Sequence, residues 1–326
     1  MMRTNAKKWT LWGVSLAVAT LFAASASAQV ISFATLKPGS IYHTMGTVVA
    51  KVITQKTGMR MLVQPLGSGR ATMTALNNRE AEFAWADVND AITAVAGTHV
   101  YKGRALPGVR LAANIRGVAV GVFAKKSTGF TKVSQMRGKR FPSGYPAFPN
   151  GVPLMMGILA GAGLTYDDVV KVPTPSLVPA VNDFIAGKMD VGFFAVGGPK
   201  VAEANTAVGG IRFLSVPNTP ESVARMRKIR PAYYVSVVKP AGFRAGIIGP
   251  TPLMVFDQVL IVGKHVSDKM VYDVLAALVK FKKDLVKGFR PFASFIPPRM
   301  GKTYPGLQNH PSSLKFFKDK GFRVGP

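Results

Sequence analysis

Apolar residues recur along this chain in two alternating spacings. Between residues 30 and 96, short apolar runs alternate with stretches in which an apolar residue returns every three or four positions. The first spacing is typical of strands and the second of helices. Three strand–turn–helix units therefore follow one another, and such alternation predicts a parallel sheet covered by helices.

A polar or glycine-rich turn follows each of these three predicted strands, at residues 40–43, 67–70 and 87–89. Because ligands of such sheets sit outside the carboxyl ends of the strands, the three turns should share one rim. Gly67-Ser68-Gly69-Arg70 precedes a predicted helix, and the free N–H groups at a helix N-terminus can bind a carboxylate or phosphate. Arg70 could add a bidentate hydrogen bond to the same anion. A plain helix-entry turn is the alternative interpretation of the same residues.

Two apolar segments, 110–125 and 253–262, are longer than ordinary strands. Strand and helix alternation restarts between them, so each segment should pass from one sheet to another. We predict two α/β domains joined by two extended hinge crossings, with a ligand cleft between them. Domain I comprises residues 29–119 and 251–326, and domain II comprises residues 120–250.

The first 28 residues have the pattern of a cleavable signal peptide. Lysines and an arginine precede an apolar run from Trp9 to Phe22, and small residues lead to a cleavage site between Ala28 and Gln29. The apolar run is shorter than the roughly 20 residues that span a bilayer, which disfavours the alternative of a membrane anchor. The sequence thus predicts a periplasmic protein.

Composition narrows the function classes. The 326 residues include no cysteine, which excludes a disulfide scaffold and thiol chemistry, while 48% hydrophobic residues suffice for apolar cores. The net charge of +27 favours an anionic small molecule, anionic lipid or nucleic acid as partner. Export disfavours nucleic acid. A basic exported protein that binds surfaces or lipids remains an alternative.

The sequence contains no recognisable enzyme motif. The four histidines, 43, 99, 265 and 310, are far apart in sequence and lack metal-ligand spacing. The sequence contains no nucleophile elbow, phosphate-binding loop or dinucleotide fingerprint. We therefore predict no catalytic residues, no metal and no cofactor, although a hydrolase assembled from distant residues stays open.

Several short motifs resemble those of one family. They are Ser40-Ile-Tyr42, Gln64-Pro-Leu-Gly-Ser68, Gly192-Phe-Phe-Ala-Val-Gly-Gly198, Val208-Gly-Gly-Ile-Arg-Phe-Leu214, Tyr304-Pro-Gly-Leu307 and His310-Pro311. Together they are similar to TAXI-type solute-binding proteins, the extracytoplasmic components of one class of TRAP transporters. The resemblance implies a type II periplasmic-binding fold, a small carboxylate or amino-acid ligand such as glutamate, and delivery to a membrane permease driven by an ion gradient.

The resemblance also implies a set of ligand-binding residues, and a monomer would suit such a shuttle. In domain I they are Ser40, Tyr42, Gly67, Ser68, Arg70 and Asn89; in domain II they are Ser143, Tyr145, Phe148, Ala195, Val196 and Gly197. The glycine and arginine at 69 and 70, and His43, depart from the residues usual in the family. These departures bear on the identity of the ligand.

Overall fold

The computed structural model describes residues 30–326, so the predicted signal peptide lies outside the described residues. The strands are β1 (Val30–Leu36), β2 (Arg60–Leu66), β3 (Phe83–Asp87), β4 (Val109–Lys125), β5 (Arg140–Gly144), β6 (Val170–Thr174), β7 (Val191–Ala195), β8 (Ile211–Phe213), β9 (Tyr234–Val238) and β10 (Thr251–Gly263). The helices are α1 (Ile41–Thr57), α2 (Gly69–Asn77), α3 (Val88–Ala96), α4 (Gly151–Gly161), α5 (Leu177–Ile185), α6 (Pro199–Ala207), α7 (Pro220–Ile229), α8 (Asp268–Lys280), α9 (Lys282–Gly288) and α10 (Pro311–Asp319).

The predicted parallel sheet is present, but the complete sheet is mixed. β1 lies between β2 and β3 and runs parallel to both. β10 then pairs antiparallel with β3, and β4 pairs antiparallel with β10. The strands of the three predicted units are thus parallel, and the two long segments add antiparallel strands beside β3.

The two long segments are single strands that cross the whole molecule. β4 and β10 pair from Met254–Val120 to Gly263–Val109, with register shifts at two places near the middle. Beyond these shifts, β9 flanks β10 and both β7 and β8 flank β4. β5 and β6 form a separate parallel pair. Both long segments thus form one antiparallel ribbon within a single eight-stranded sheet.

Buried apolar residues group on either side of this ribbon. On one side they come from residues 31–115 and 259–317, and we call this part the first lobe. On the other side they come from residues 118–256, the second lobe. Each lobe therefore has its own core. The domain boundaries predicted from the sequence remain a prediction.

The helical segment that follows β10 is divided into two helices. α8 ends at Lys280 and α9 begins at Lys282, with Phe281 between them at φ −103° and ψ 23°. Among residues 30–326, no helix is long and apolar enough to cross a bilayer.

Candidate functional site

A cavity of about 70 Å³ lies between the two lobes. Most of its walls are aliphatic or aromatic, and they come from both lobes. The apolar lining includes Leu36, Ile41, Val118, Phe148, Leu177, Phe193 and Phe256. Ser40, Tyr42, Asp87 and Asp90 supply the polar groups. We call this cavity the cleft, and it is small compared with the roughly 300–1,000 Å³ of ordinary ligand pockets.

The N-terminus of α1 opens into the cleft. Ser40 is the N-cap, and its Oγ accepts a hydrogen bond of 3.1 Å from the N–H of His43. The N–H groups of Ile41 and Tyr42 have no acceptor within residues 30–326, as is usual in the first turn of a helix. These free N–H groups and the helix dipole favour a negative group at this end of the cleft.

A close approach between α1 and β1 fixes the position of this helix end. Gly46 faces β1, where a Cβ would stand 2.4 Å from Thr35 Cγ2 and 3.4 Å from the Phe33 ring. Only glycine therefore allows α1 to lie so close to the strand.

Tyr42 brings a protonated hydroxyl to the cleft. Burial, followed by the charges of Asp87 and Asp90, raises the pKa of Tyr42 well above its usual value. Its ring packs against the cores of both lobes. The hydroxyl therefore stays a hydrogen-bond donor over the whole physiological pH range.

A buried polar cluster joins the lobes beside the cleft. Arg230, which follows α7, donates from Nη2 to Asp87 Oδ2 at 2.6 Å and to Asp90 Oδ1 at 2.8 Å. Tyr233 Oη donates to Asp87, and Asn150 Nδ2 donates to Asp90. We call these five residues the acid–arginine cluster. All five are buried, and every side-chain donor to the two carboxylates comes from the second lobe. The backbone N–H of Asn89, in the first lobe, also donates to Asp87 Oδ1 at 2.9 Å.

The surrounding helices leave room for Arg230. Its Cγ lies 3.1 Å from the position that a Cβ on Gly157 would take in α4, and its guanidinium lies 4.6 Å from the centroid of the Tyr233 ring. Burial alone would lower the pKa of Arg230, but Tyr233, Asp90 and Asp87 raise it overall. Arg230 therefore stays charged and offsets part of the negative charge of the two acids.

Burial, followed by the charge of Asp90, raises the pKa of Asp87 to about 7, although the charge of Arg230 lowers it. A carboxyl whose pKa is raised on folding binds more protons in the folded state between its unfolded and folded pKa values. The stability that it contributes is complete below pH ~4 and is lost as pH rises towards 7.

We therefore expect the free energy of unfolding to fall between pH 4.5 and pH 7.5, with this component absent in Asp87→Asn. Urea unfolding at several pH values measures the difference between the two proteins. The surface variant Asp167→Asn is the control, because Asp167 is exposed and pairs with the exposed Lys171 at 2.8 Å. A pH profile of Asp87→Asn that is parallel to that of the unmodified protein would contradict the assignment.

The structure brings four of the predicted ligand residues to the cleft: Ser40, Tyr42, Phe148 and Ala195. Asn89 is buried beside them, and its Oδ1 accepts from the N–H of Ala232 at 3.4 Å, across the lobes. The N-cap of α3 is Asp87 rather than Asn89. Asn89 thus lies behind the cleft wall rather than in it.

The predicted Gly67 turn lies outside the residues that line the cleft. Gly67 and Arg70 are exposed, and Ser68 is the N-cap of α2, where its Oγ accepts from Ala71 at 3.2 Å. A Cβ on Gly69 would be 3.8 Å from Asn150 Nδ2, so the start of α2 borders the acid–arginine cluster. As ligand contacts, these residues remain a prediction.

The remaining predicted residues of the second lobe also lie outside the cleft lining. Tyr145 is fully buried in the core at a φ of 54°, and Ser143 is buried in β5. Val196 lines a separate groove, and Gly197 is next to Phe243 and Pro291. The loop after β5 therefore presents Phe148, rather than Tyr145, to the cleft.

Asp90 and Arg230 are the prominent cleft-side residues that sequence reasoning did not single out. Asp90 directly follows the predicted turn at 87–89, but Arg230 is 140 residues away from it. The only local feature of Arg230 is its place directly after α7 and directly before Pro231. Nothing in that position indicates a partner in the other lobe.

The chain matches the model of the NMT1-like family over residues 33–321, and it belongs to that family. A search of curated proteins finds no match. The fold is similar to a solved structure described as a periplasmic transporter, with a TM-score of 0.58 and 16% identity over 90% of this chain and 93% of that one. It is also similar to PhnD1 from Prochlorococcus marinus (MIT 9301) in complex with methylphosphonate, with a TM-score of 0.56 and 10% identity over 91% of this chain and 100% of that one.

These similarities define the class of fold. The mixed α/β architecture is that of the two-domain periplasmic binding proteins, so the fold class predicted from the sequence is confirmed. The family model carries the NMT1-like description. The finer TAXI grouping, which rests on the sequence motifs, remains a prediction.

Proposed function

We propose that this protein is a periplasmic solute-binding protein that captures a small carboxylate with a largely apolar body in the cleft. The main support for this proposal is the position of the N-terminus of α1, which opens into a largely apolar cavity between the two lobes. The carboxylate would accept from the N–H groups of Ile41 and Tyr42 and from the hydroxyls of Ser40 and Tyr42. Phe148 and Ala195 would contact the apolar body from the second lobe.

The two acids in the cleft wall do not exclude an anionic solute. Each Asp87 and Asp90 oxygen already accepts a hydrogen bond, from Arg230, Tyr233, Asn150 or the N–H of Asn89. Arg230 neutralises part of their charge, and the elevated pKa of Asp87 reduces it further near neutral pH. The strongly positive net charge of the chain favours the approach of an anion.

Capture would require the lobes to move apart and close again, because the cleft is smaller than most solutes. β4 and β10 are the covalent links across which the lobes would hinge. Closure changes the outer surface of the protein, and a transporter can bind one form in preference to the other.

The TAXI-like motifs favour a TRAP permease as the receiving membrane protein, and we infer that this protein serves one as a monomer. Uptake that stops when the ion gradient is collapsed, with ATP maintained, would distinguish a TRAP permease from an ATP-driven importer. The same resemblance implies a glutamate-like or other small carboxylate ligand.

Thermal melting against a panel of amino acids, dicarboxylates and aromatic acids tests the binding function. A solute that binds only the folded protein stabilises it by about 2.7 kcal/mol at 100 times its Kd. We expect a selective rise in Tm with carboxylates and none with the matching amides or alcohols. A flat panel, together with salt-sensitive binding to anionic vesicles, would instead favour the basic surface-binding alternative.

A further inference from the structure

A groove of about 520 Å³ lies on the other face of the crossing strands from the cleft. Successive side chains of a strand point to opposite faces. The cleft is lined by Val118 and Val120 of β4 and Phe256 of β10, whereas the groove is lined by Gly117, Ala119 and Val255. The two cavities share no lining residue. We call the second one the hinge groove.

The charges that line the hinge groove all have one sign. Arg116, Lys239 and Arg244 line it, and within the described chain no aspartate or glutamate does. A depression of about 550 Å³ adjoins it and shares Arg116. Asp257 lies in that depression, but Lys302 at 2.7 Å and Tyr304 at 2.8 Å already hold its carboxylate. The groove is therefore positively charged, with no acid available to neutralise it.

Arg116 is the most unusual of these cations, because it is only 8% exposed and has no carboxylate partner within residues 30–326. Its Nε donates to Gln258 Oε1 at 3.1 Å and its Nη1 to Ser294 Oγ at 3.4 Å, while its Nη2 has no acceptor. Burial lowers the pKa of Arg116 to about 10, although Tyr42 raises it, and Arg244 lowers it further. A buried cation without a counter-charge is unfavourable, and a bound anion would remove the penalty.

Arg244 brings a second guanidinium from the second lobe. Its Nη1 donates to the carbonyl of Lys239 at 2.7 Å, and its guanidinium lies 5.1 Å from the centroid of the Phe243 ring. These contacts hold the side chain in place without neutralising it. Guanidinium groups bind planar or tetrahedral oxyanions through paired N–H donors.

We propose that the hinge groove is a second binding site, which takes a small oxyanion between Arg116 and Arg244. Sulfate, phosphate and a carboxylate share the required chemistry. Ser294 and Tyr234 also line the groove, but their hydroxyls already donate to the Pro291 carbonyl at 2.8 Å and to Asp257 Oδ1 at 3.1 Å. The two guanidinium groups are therefore the donors for the anion. The site joins the first lobe, through Ser294, to the second, through Arg244, and none of its lining residues lines the proposed solute cleft.

Titration of the purified protein with sodium sulfate, sodium phosphate or sodium acetate tests this proposal, with sodium chloride holding the ionic strength constant. We expect a saturable rise in Tm and a matching calorimetric isotherm for at least one oxyanion. Arg116→Gln and Arg244→Gln should each weaken this binding at least ~10-fold. Arg104→Gln removes an exposed arginine outside the groove and should leave the binding unchanged.

Two further comparisons separate this site from the cleft and from a folding defect. Ala195→Leu, which fills the cleft, should leave oxyanion binding intact even if solute binding is lost. Arg244 is only half-buried, so its variant should fold normally by circular dichroism even if Arg116→Gln does not. A response that never saturates, is equal in the variants and the control, or disappears in Ala195→Leu would overturn the proposal.

Discussion

Arg230→Met should destabilise the protein by about 3–5 kcal/mol, because it leaves two buried carboxylates without their cation. Asp87 and Asp90 are 6% and 7% exposed, so water cannot take the place of the guanidinium. Methionine keeps much of the apolar stem but none of the three hydrogen bonds that Nη2 makes with Asp87, Asp90 and Tyr233. Urea unfolding at pH 7 measures the change.

Lys228→Met is the matched control, since Lys228 is an exposed cation in the last turn of α7, two residues before Arg230, and its replacement should change stability by less than about 0.5 kcal/mol. Replacing the acids at the same time, with Asp87→Asn and Asp90→Asn, should recover part of the loss, because it removes the buried charges that were left unpaired. If Arg230→Met proved as stable as Lys228→Met, the acid–arginine cluster would not hold the lobes together as described.

Ala195→Leu should weaken solute binding by at least ~100-fold while the protein still folds. Ala195 lies at the end of β7, is partly exposed, and packs against both lobes at the cleft. A leucine side chain there occupies a cavity of only about 70 Å³. The measurement is the Kd of whichever solute raises the Tm most in the panel.

Ala202→Leu adds the same atoms on an exposed face of α6 and should bind the solute normally.

Gly67→Val tests the predicted contact at the second turn, and it should fold, because a Cβ on Gly67 meets no atom within 4 Å. Loss of binding in Gly67→Val with normal binding in Ala195→Leu would move the solute site from the cleft to that turn.

The positions of strands, helices and crossings followed from local patterns. The 3.6-residue spacing from Ile41 to Ile53 indicates α1, and the unusual length of the segment from Arg110 to Lys125 indicates an extended crossing, which is β4 in the structure. These properties depend on neighbours in sequence, so one sequence suffices to recognise them. The direction of β4 and β10 in the sheet depends on long-range pairing, which apolar periodicity does not encode.

The candidate site was predicted only in part, for the same reason. Ser40 and Tyr42 could be placed at a strand end because the turn that carries them is local. Arg230 and Asp87 are 143 residues apart, and neither residue alone indicates an ion pair across two lobes. Arg70 and Arg116 look alike in the sequence, yet the first is exposed and the second is buried. Burial is a property of the assembled fold, and it decides which arginine needs a partner.

The continuous β4–β10 ribbon has a consequence for the order in which the chain can fold. The second lobe draws its core from one uninterrupted segment, so it can collapse as soon as residues 118–256 are available. The first lobe cannot complete its core until β10, α8 and α10 are available, because β10 lies between β3 and β4 in the sheet and both helices pack in this core. Contacts between residues this far apart close slowly. The amino-terminal third of the chain, although synthesised first, should therefore be the last to acquire its native packing and the longest exposed to proteases and chaperones.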